Sequence, residues 1–425
     1  MERKEFSQVG EQMYHRVLEN GLNVFVFPKP EFRKGYAFFA TNYGGMDMRF
    51  CLDGEWHDTP AGVAHYLEHK MFDTEDGNAL QDLAANGASP NAFTSSGITG
   101  YYFESTEKFE ENLRILLSFV SIPWFTKESV DKEQGIIGQE IGMIEDNPDW
   151  KVYMNLMESL YTNHPIRVSV AGSVESISHI TAETLYACHK AFYDPANMVL
   201  CVAGPVDPER ICDVAREILP REAGPIAQKD YGAPEREGVA CPVKEIEMEV
   251  STPIFQLGFK GDDPGLGEAC LRQELVAELA AEALLGSSSP LYARLYREGL
   301  INKNFSFGYE SYPGCAFLIV GGESKDPAAV RDAVLAEAER IGREGIEPAL
   351  WQRLKKGVYG TKVRGLNSFE NLCVGQAQAF FAGFDYLRFA DVFASISMEE
   401  GVALITRWVN EGRAALSVVN PKGGN

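Results

Sequence analysis

The 425-residue chain has few basic residues, no long apolar run and no paired cysteines, and each absence excludes a class of protein. Its 39 Lys and Arg against 61 Asp and Glu give a net charge of −22. This charge argues against nucleic-acid binding, because phosphate contacts need a basic surface. No run approaches the roughly 20 apolar residues of a membrane span, and residues 1–10 are polar. We therefore expect no nucleic-acid partner, no membrane partner and no secretory signal.

The eight cysteines are scattered and include no Cys-x-x-Cys pair. In a chain of this length the pattern is not a disulfide framework, and it excludes zinc fingers and thioredoxin-like chemistry. Some cysteines lie in apolar runs, as Cys201 does within Val199–Ala203. We therefore expect buried thiols in a reducing compartment, and a cytoplasmic location.

A single segment between the two halves of the chain has the composition of a linker. At roughly 100–200 residues per domain, the length predicts two or three domains. Leu219–Val243 is rich in proline and glycine and has almost no apolar periodicity. We predict an N-terminal domain over residues 1–222, a linker over 223–243 and a C-terminal domain over 244–425.

The two predicted domains share weak sequence repeats at a nearly constant offset. Phe103-Glu104-Ser105 resembles Gly322-Glu323-Ser324, and each is followed by a helical stretch. Val199–Pro205 resembles Ala415–Pro421 in the same way. The offsets of these pairs lie between 216 and 219 positions, which indicates two homologous halves.

The pattern of apolar residues predicts strands and helices in irregular alternation. Leu22–Phe27 and Tyr36–Tyr43 are predicted strands, and Ser89–Ser105 is strand-like and rich in turns. The predicted helices are Thr59–Asp73, with Thr59 as N-cap, then Ala79–Asn86, Phe109–Val120 and Lys127–Glu145. Because regular βαβ spacing is absent, we predict an α+β fold, in which each half is a mostly antiparallel sheet covered by helices.

The stretch His65-Tyr66-Leu67-Glu68-His69 is the strongest candidate for chemistry. Residues four apart lie one above the other on a helix, so His65 and His69 can direct two imidazoles at one point. Two imidazoles at this spacing suit zinc, and Glu68 on an adjoining flank can act on a water at the metal. The order is the H-x-x-E-H pattern. The alternative is a solvated helix with incidental histidines, but only seven histidines occur in the chain.

A catalytic zinc needs a third protein ligand, and the next long helix offers two candidates. Glu133 and Glu140 lie on one face of Lys127–Glu145, because two turns of helix take about 7.2 residues. Either could be the ligand. The alternative is that both glutamates form ion pairs on a solvent-exposed face of this helix, since Lys132 and other charged residues are near. The apolar residues around Glu140 favour a packed helix, on which a carboxylate needs a partner.

Four motifs follow one another in this region: His65–Phe72, Gly87–Thr94, Tyr101–Phe103 and the Glu133/Glu140 pair. In this order they resemble the insulinase (pitrilysin) family of zinc peptidases, which includes the mitochondrial processing peptidase. The duplicated halves agree with the repeated architecture of that family. The resemblance therefore extends over nearly the whole chain and implies a two-domain member with that metallohydrolase fold.

The resemblance assigns roles to the residues of the predicted metal site. It implies that His65, His69 and Glu140 bind one zinc ion per chain. It also implies that Glu68 is the general base of the reaction. Glu133 would be a second carboxylate that supports the site.

The resemblance also implies residues that bind the substrate. Asn91, Ala92 and Phe93 would form an edge strand that pairs with the peptide backbone, although Asn91 could instead be a turn residue after a proline. In the second half, Arg297 matches an arginine with which family members grip the substrate. An ordinary surface ion pair is the alternative for Arg297. The family's accompanying tyrosine is absent.

The second half has no metal motif. Its predicted helix Leu271–Leu285 contains no histidine, and the residues that match the metal-site positions are Glu278, Glu282, Lys355 and Lys362. We therefore expect no metal in the second half, which would cover the first.

The leading interpretation is a zinc-dependent endopeptidase that hydrolyses extended or unfolded peptides, with Glu68 as general base. The alternative is a non-catalytic peptide-binding or scaffold subunit of a peptidase heterodimer. Scaffold members of such families typically lose the H-x-x-E-H residues, whereas this chain keeps them. The resemblance also implies a homodimer, or a heterodimer with a related subunit.

Overall fold

A computed structural model describes residues 1–423 of the chain, which form two compact units. Unit 1 comprises Met1–Ile141, Ser169–Tyr231 and Val363–Arg388. Unit 2 comprises Gly142–Val168, Gly232–Lys362 and, of the described residues, 389–423. Each unit is built on one large sheet covered by helices.

The strands of unit 1 are, in chain order, β1 (Glu2–Phe6), β2 (Glu11–Val17), β3 (Asn23–Pro28), β4 (Gly35–Thr41), β5 (Arg49–Leu52), β6 (Glu55–Asp58), β7 (Asp73–Thr74), β8 (Gly77–Asn78), β9 (Ser89–Thr94), β10 (Thr99–Ser105), β11 (Met198–Gly204) and β12 (Gln228–Lys229). Seven of them form the large sheet in the order β1-β2-β3-β11-β4-β10-β9. Adjacent strands in this sheet are antiparallel except β3 and β11, which are parallel. Strand β9 therefore lies at an edge.

The helices before residue 220 are α1 (Val63–Met71), α2 (Ala79–Ala85), α3 (Phe109–Ser121), α4 (Lys127–Glu145), α5 (Pro148–Leu160), α6 (Val174–Ile177), α7 (Ala182–Phe192) and α8 (Pro208–Ile218). Helix α1 packs on β9, β10 and α7, and α3 packs on β4 and β10. Every residue of the central strands β4 and β11 is buried. This burial explains why these two strands are continuous apolar runs rather than alternating ones.

Unit 2 contains β13 (Val243–Met248), β14 (Ile254–Lys260), β15 (Ser306–Tyr312), β16 (Cys315–Glu323) and β17 (Ala414–Pro421). The later helices of the chain are α9 (Glu268–Leu285), α10 (Pro290–Arg297), α11 (Pro327–Glu344), α12 (Pro348–Gly365), α13 (Phe369–Phe381), α14 (Phe389–Ser395) and α15 (Met398–Trp408). The five strands form one sheet in the order β13-β17-β14-β16-β15.

The two large sheets repeat the same arrangement. In unit 1 the order β3-β11-β4-β10-β9 begins with a parallel pair and continues with antiparallel pairs. In unit 2 the order β13-β17-β14-β16-β15 does the same. The predicted α+β fold, with two homologous halves and mostly antiparallel sheets, is therefore confirmed.

The compact units differ from the predicted segments 1–222 and 244–425 because each sequence half contributes one helix to the other unit. Helix α5, from the first half, packs on β14 and β17. Its Leu156 and Leu160 are fully buried in a core cluster that also contains Phe317. Helix α13, from the second half, packs on β4 and β11. The apolar face of each helix thus completes a core that its own sequence half does not contain.

The start of α1 differs from the predicted one. Thr59 is not its N-cap, because the helix begins four residues later; the Thr59 hydroxyl and amide both donate to the Met48 carbonyl. The helix instead begins after Gly62, whose φ of 98° lies in the left-handed region. A Cβ atom on Gly62 would also lie 2.8 Å from the Ala171 carbonyl oxygen, so a glycine is required here. No helix within residues 1–423 combines the length and the apolar composition needed to cross a lipid bilayer.

Candidate metal centre

Helix α1 presents three chemically active side chains on one side and a core face on the other. Its buried residues are Val63, Ala64, Tyr66, Leu67, Lys70 and Met71. His65, Glu68 and His69 are only partly buried. The spacing of the apolar residues therefore fixes which way the candidate ligands face. The Tyr66 hydroxyl donates to the Val130 carbonyl at 2.5 Å and joins α1 to α4.

The two imidazoles of α1 meet one carboxylate of α4. His65 Nε2 lies 3.6 Å from Glu140 Oε1, and His69 Nε2 lies 3.4 Å from Glu140 Oε2. One ligand atom from each residue lies within 4.8 Å of the other two. A tetrahedral zinc site with bonds of about 2.1 Å has ligand atoms about 3.4 Å apart, so the distances fit this ion. Within residues 1–423 this is the one such group of three or more His, Cys, Asp or Glu side chains.

Glu133 occupies a different place from Glu140. Its Oε1 lies 3.2 Å from Nδ1 of His69, on the opposite side of the ring from Nε2. Its Oε2 lies 3.9 Å from the ammonium of Lys70, which is buried and also bonds to Asp73. A carboxylate on Nδ1 fixes the tautomer of a histidine and directs Nε2 toward a metal. The geometry therefore favours Glu140 as the candidate ligand and Glu133 as the carboxylate that orients His69.

We expect Glu133→Gln to weaken zinc binding about 10- to 100-fold, the usual effect of changing a group that orients a ligand. The glutamine side chain lacks the negative charge of Glu133, which accepts from Nδ1 of His69 and lies near the Lys70 ammonium. Competition with a fluorescent zinc chelator measures this change. Glu145→Gln, an exposed carboxylate on the same helix, is the matched control. Equal affinity in both variants would remove the supporting role of Glu133.

The surroundings shift the pKa values of the two histidines in opposite directions. Burial, with a smaller contribution from the charge of His69, lowers the pKa of His65 to about 4. His65 is therefore neutral near pH 7, as a metal ligand must be. Burial opposes charge on His69, but the hydrogen bond to Glu133 and the nearby carboxylates raise its pKa.

Glu68 has a partner that the sequence did not reveal. The pKa of the Glu68 carboxyl is raised, because burial disfavours its charged form. The Thr94 hydroxyl donates to Oε2 of Glu68 at 2.6 Å and offsets part of this rise. The sequence motifs assign no role to Thr94 or to the buried Lys70. A signal for Thr94 was available, because side chains two apart on a strand share a face and Ala92 lies in a predicted substrate strand.

The predicted substrate residues lie together on the edge strand β9. Asn91 is exposed, and its Oδ1 accepts from the Ala92 amide at 2.9 Å. Phe93 is partly buried, with its ring stacked on Phe38 at a centroid distance of 5.8 Å. Strand β10 pairs with β9 on one side, and no strand of the described sheet pairs with the other side. This edge can accept an extended chain.

The residues of unit 2 that match the metal-site positions form ion pairs and hydrogen bonds instead. Lys362 lies 2.8 Å from Glu278, and Lys355 donates to the carbonyls of Ala394 and Ile396. The ammonium group of Lys362 thus lies where the matching position of the first half has the carboxylate of Glu140. Arg297 is exposed at the end of α10, and its role in substrate binding stays a prediction.

Family models match parts of both halves of the chain. A family model described as insulinase (peptidase family M16) matches residues 53–174. A model described as the peptidase M16 inactive domain matches residues 179–358. The first match contains all the candidate metal ligands, and the second agrees with the loss of the metal motif in the second half.

Relatives and solved structures of similar length support the same assignment. A Bacillus subtilis protein named uncharacterized zinc protease YmfH is 40% identical over 98% of this chain and 99% of its own length. The crystal structure of an M16-like peptidase from Alicyclobacillus acidocaldarius has a TM-score of 0.93 and 32% identity, covering 97% of this chain and 99% of its own. A Helicobacter pylori protease at 16% identity shares the fold, with a TM-score of 0.80 over 97% of this chain and 100% of its own. The resemblance found in the sequence motifs is confirmed.

Proposed function

Because the chain belongs to peptidase family M16, the insulinase family, we propose that it is a zinc-dependent endopeptidase acting on extended or unfolded peptides. The observation that carries the proposal is the convergence of His65, His69 and Glu140, with Glu68 on the same helix as both histidines. A subunit that only bound peptides would need none of these four residues. Their joint presence favours catalysis over a scaffold role.

The chemistry of the site follows from its donor groups. One zinc ion bound by two neutral imidazoles and a carboxylate would polarise the scissile carbonyl and make a water molecule a stronger nucleophile. Glu68 accepts the proton of the attacking water and delivers it to the leaving amine. Its partly buried position raises the pKa of the carboxyl, which makes it a better proton carrier near neutral pH.

The substrate class follows from the edge strand. A peptide that pairs with Asn91, Ala92 and Phe93 on β9 forms main-chain hydrogen bonds and must be extended to do so. Folded proteins have few free extended segments, so the site selects unfolded chains. We propose that Arg297 adds a cationic contact to the bound peptide, as the family resemblance implies.

The function is tested with the purified, zinc-loaded chain and a fluorescence-quenched library of random decapeptides. We expect internal cleavage that stops when a chelator removes the metal and returns when zinc is added. A natively folded protein with the same amino-acid composition as the peptide library should resist cleavage. Tight peptide binding without any cleavage would contradict the endopeptidase and favour the scaffold alternative.

We propose that the chain forms a dimer, either with a second copy or with a related subunit. The second half lacks the family's tyrosine, and Asn302 in that region donates to Glu323 at 2.7 Å instead of being free to hold a substrate. A partner subunit could supply the missing contact. Light scattering tests this proposal, and a single species of 47.0 kDa that is fully active would contradict it.

We also propose a cytoplasmic location. All eight cysteines are free thiols, and six of them are buried. Such thiols suit a reducing compartment. Fractionation of cells that express the chain tests this location, and recovery from the extracellular fraction would contradict it.

A further inference from the structure

The carboxylate of Glu68 has one hydrogen-bonding residue in the described structure, and that residue is Thr94. The Thr94 hydroxyl lies 2.6 Å from Oε2 of Glu68. A second hydroxyl, that of the buried Thr99, lies 3.4 Å from the Thr94 oxygen and donates to the Tyr43 carbonyl at 2.9 Å. Because an ionised carboxylate can only accept a hydrogen bond, Thr94 is the donor in this shorter contact and its proton is directed at Glu68.

The position of Thr94 in the fold makes its hydroxyl a rigid donor. Thr94 is the last residue of β9 and is paired with Thr99 of β10. A β-branched side chain on a paired strand has few accessible rotamers, so the position of the hydroxyl oxygen is well defined. Helix α1, which carries Glu68, packs directly on β9.

We propose that Thr94 is a positioning residue that holds one oxygen of Glu68 and leaves the other free to accept a proton. This inference rests on the proposed peptidase function and extends it. Thr94 directly follows Asn91, Ala92 and Phe93 on β9, so the strand that binds the peptide also orients the base. Substrate register and base position are thereby fixed relative to each other by one strand.

The proposal predicts an effect on turnover rather than on substrate binding. Thr94→Val removes the hydroxyl but keeps the shape and the strand preference of the side chain. We expect kcat to fall about 10- to 100-fold, which is the range found when a group that orients the ligands of a metal site is changed. KM for the decapeptides and the zinc content should stay within about twofold of the wild type. Thr94→Ser, which keeps the hydroxyl, should restore kcat.

Thr406→Val is the control, because Thr406 lies on α15 and its hydroxyl only donates to the Val402 carbonyl. Unchanged kcat in Thr94→Val would overturn the proposal. A rise in KM alone, or lost zinc, would also overturn it, because Thr94 would then serve peptide docking or the metal site.

A structural readout separates this proposal from the proposed function. In crystals of Thr94→Val we expect the Glu68 side chain to leave its wild-type rotamer, and in crystals of Thr94→Ser we expect it to keep that rotamer. A Glu68 side chain in the same place in both variants would overturn the positioning role. Absence of any peptide cleavage by the wild type would instead count against the peptidase, while the Glu68 rotamers would still decide the role of Thr94.

Discussion

Replacing Glu68 with Gln is expected to lower kcat for peptide cleavage about 10²- to 10⁴-fold, the usual contribution of a general base. The amide cannot accept the proton of the attacking water. Zinc should remain bound at one ion per chain, because Glu68 is not one of the three residues that converge on the candidate metal position. Metal analysis and steady-state kinetics on the same preparation measure both quantities.

The matched control for this variant is Glu75→Gln. Glu75 is exposed between β7 and β8, so the change removes the same charge without touching the site. It should leave kcat and the zinc content unchanged. Full activity in Glu68→Gln would mean that another group is the base, or that the cleavage comes from a contaminating enzyme.

Replacing Glu140 with Ala is expected to lower zinc affinity about 10²-fold or more, and activity with it. Structural zinc sites with four ligands are worth about 10–16 kcal/mol, or roughly 3 kcal/mol for each ligand. A loss of this size corresponds to a factor of about 10² in the dissociation constant. Glu140 is partly exposed, so the fold should survive and a thermal melt of the metal-free protein should change little.

Gln139→Ala is the control for the ligand variant, since Gln139 is the exposed neighbour of Glu140 on α4. It should bind zinc as the wild type does. If Glu140→Ala binds zinc as tightly as the control, α4 does not contribute a ligand, and the site would have to be assigned differently.

The candidate site could be predicted largely because its parts are local. The H-x-x-E-H spacing places His65 and His69 on one face of a single helix, whatever surrounds it. The bounds predicted for α4, Lys127–Glu145, are those found in the structure. Spacing alone could not choose between Glu133 and Glu140, because both lie on one face of that helix. The choice depends on which nitrogen of His69 each carboxylate meets.

Other features depend on contacts between residues distant in sequence, which local patterns do not encode. Thr94 reaches Glu68 across 26 positions, through the packing of α1 on β9. The apolar face of α5 resembles that of any core helix, so nothing in its sequence shows that it packs on β14 and β17. The predicted start of α1 at Thr59 is wrong, because the helix begins after Gly62, which lies against the distant Ala171 carbonyl, and Thr59 is bonded to Met48 outside the helix.

The two halves show what duplication preserved and what it changed. The five-strand order is the same in both sheets, so the architecture was preserved. The matching metal positions changed to Glu278 and Lys362, which lie 2.8 Å apart and balance each other's charge. The second sheet thus keeps the strand order, while the one candidate metal group among residues 1–423 lies in the first half.

The most direct test is a crystal structure of the zinc-loaded protein, recorded with anomalous scattering at the zinc absorption edge. We expect one strong peak per chain, bonded to Nε2 of His65, to Nε2 of His69 and to the carboxylate of Glu140. Glu133 should remain on Nδ1 of His69, without a bond to the ion. A structure in which zinc is absent from this position, or is bound without Glu140, would contradict the assignment.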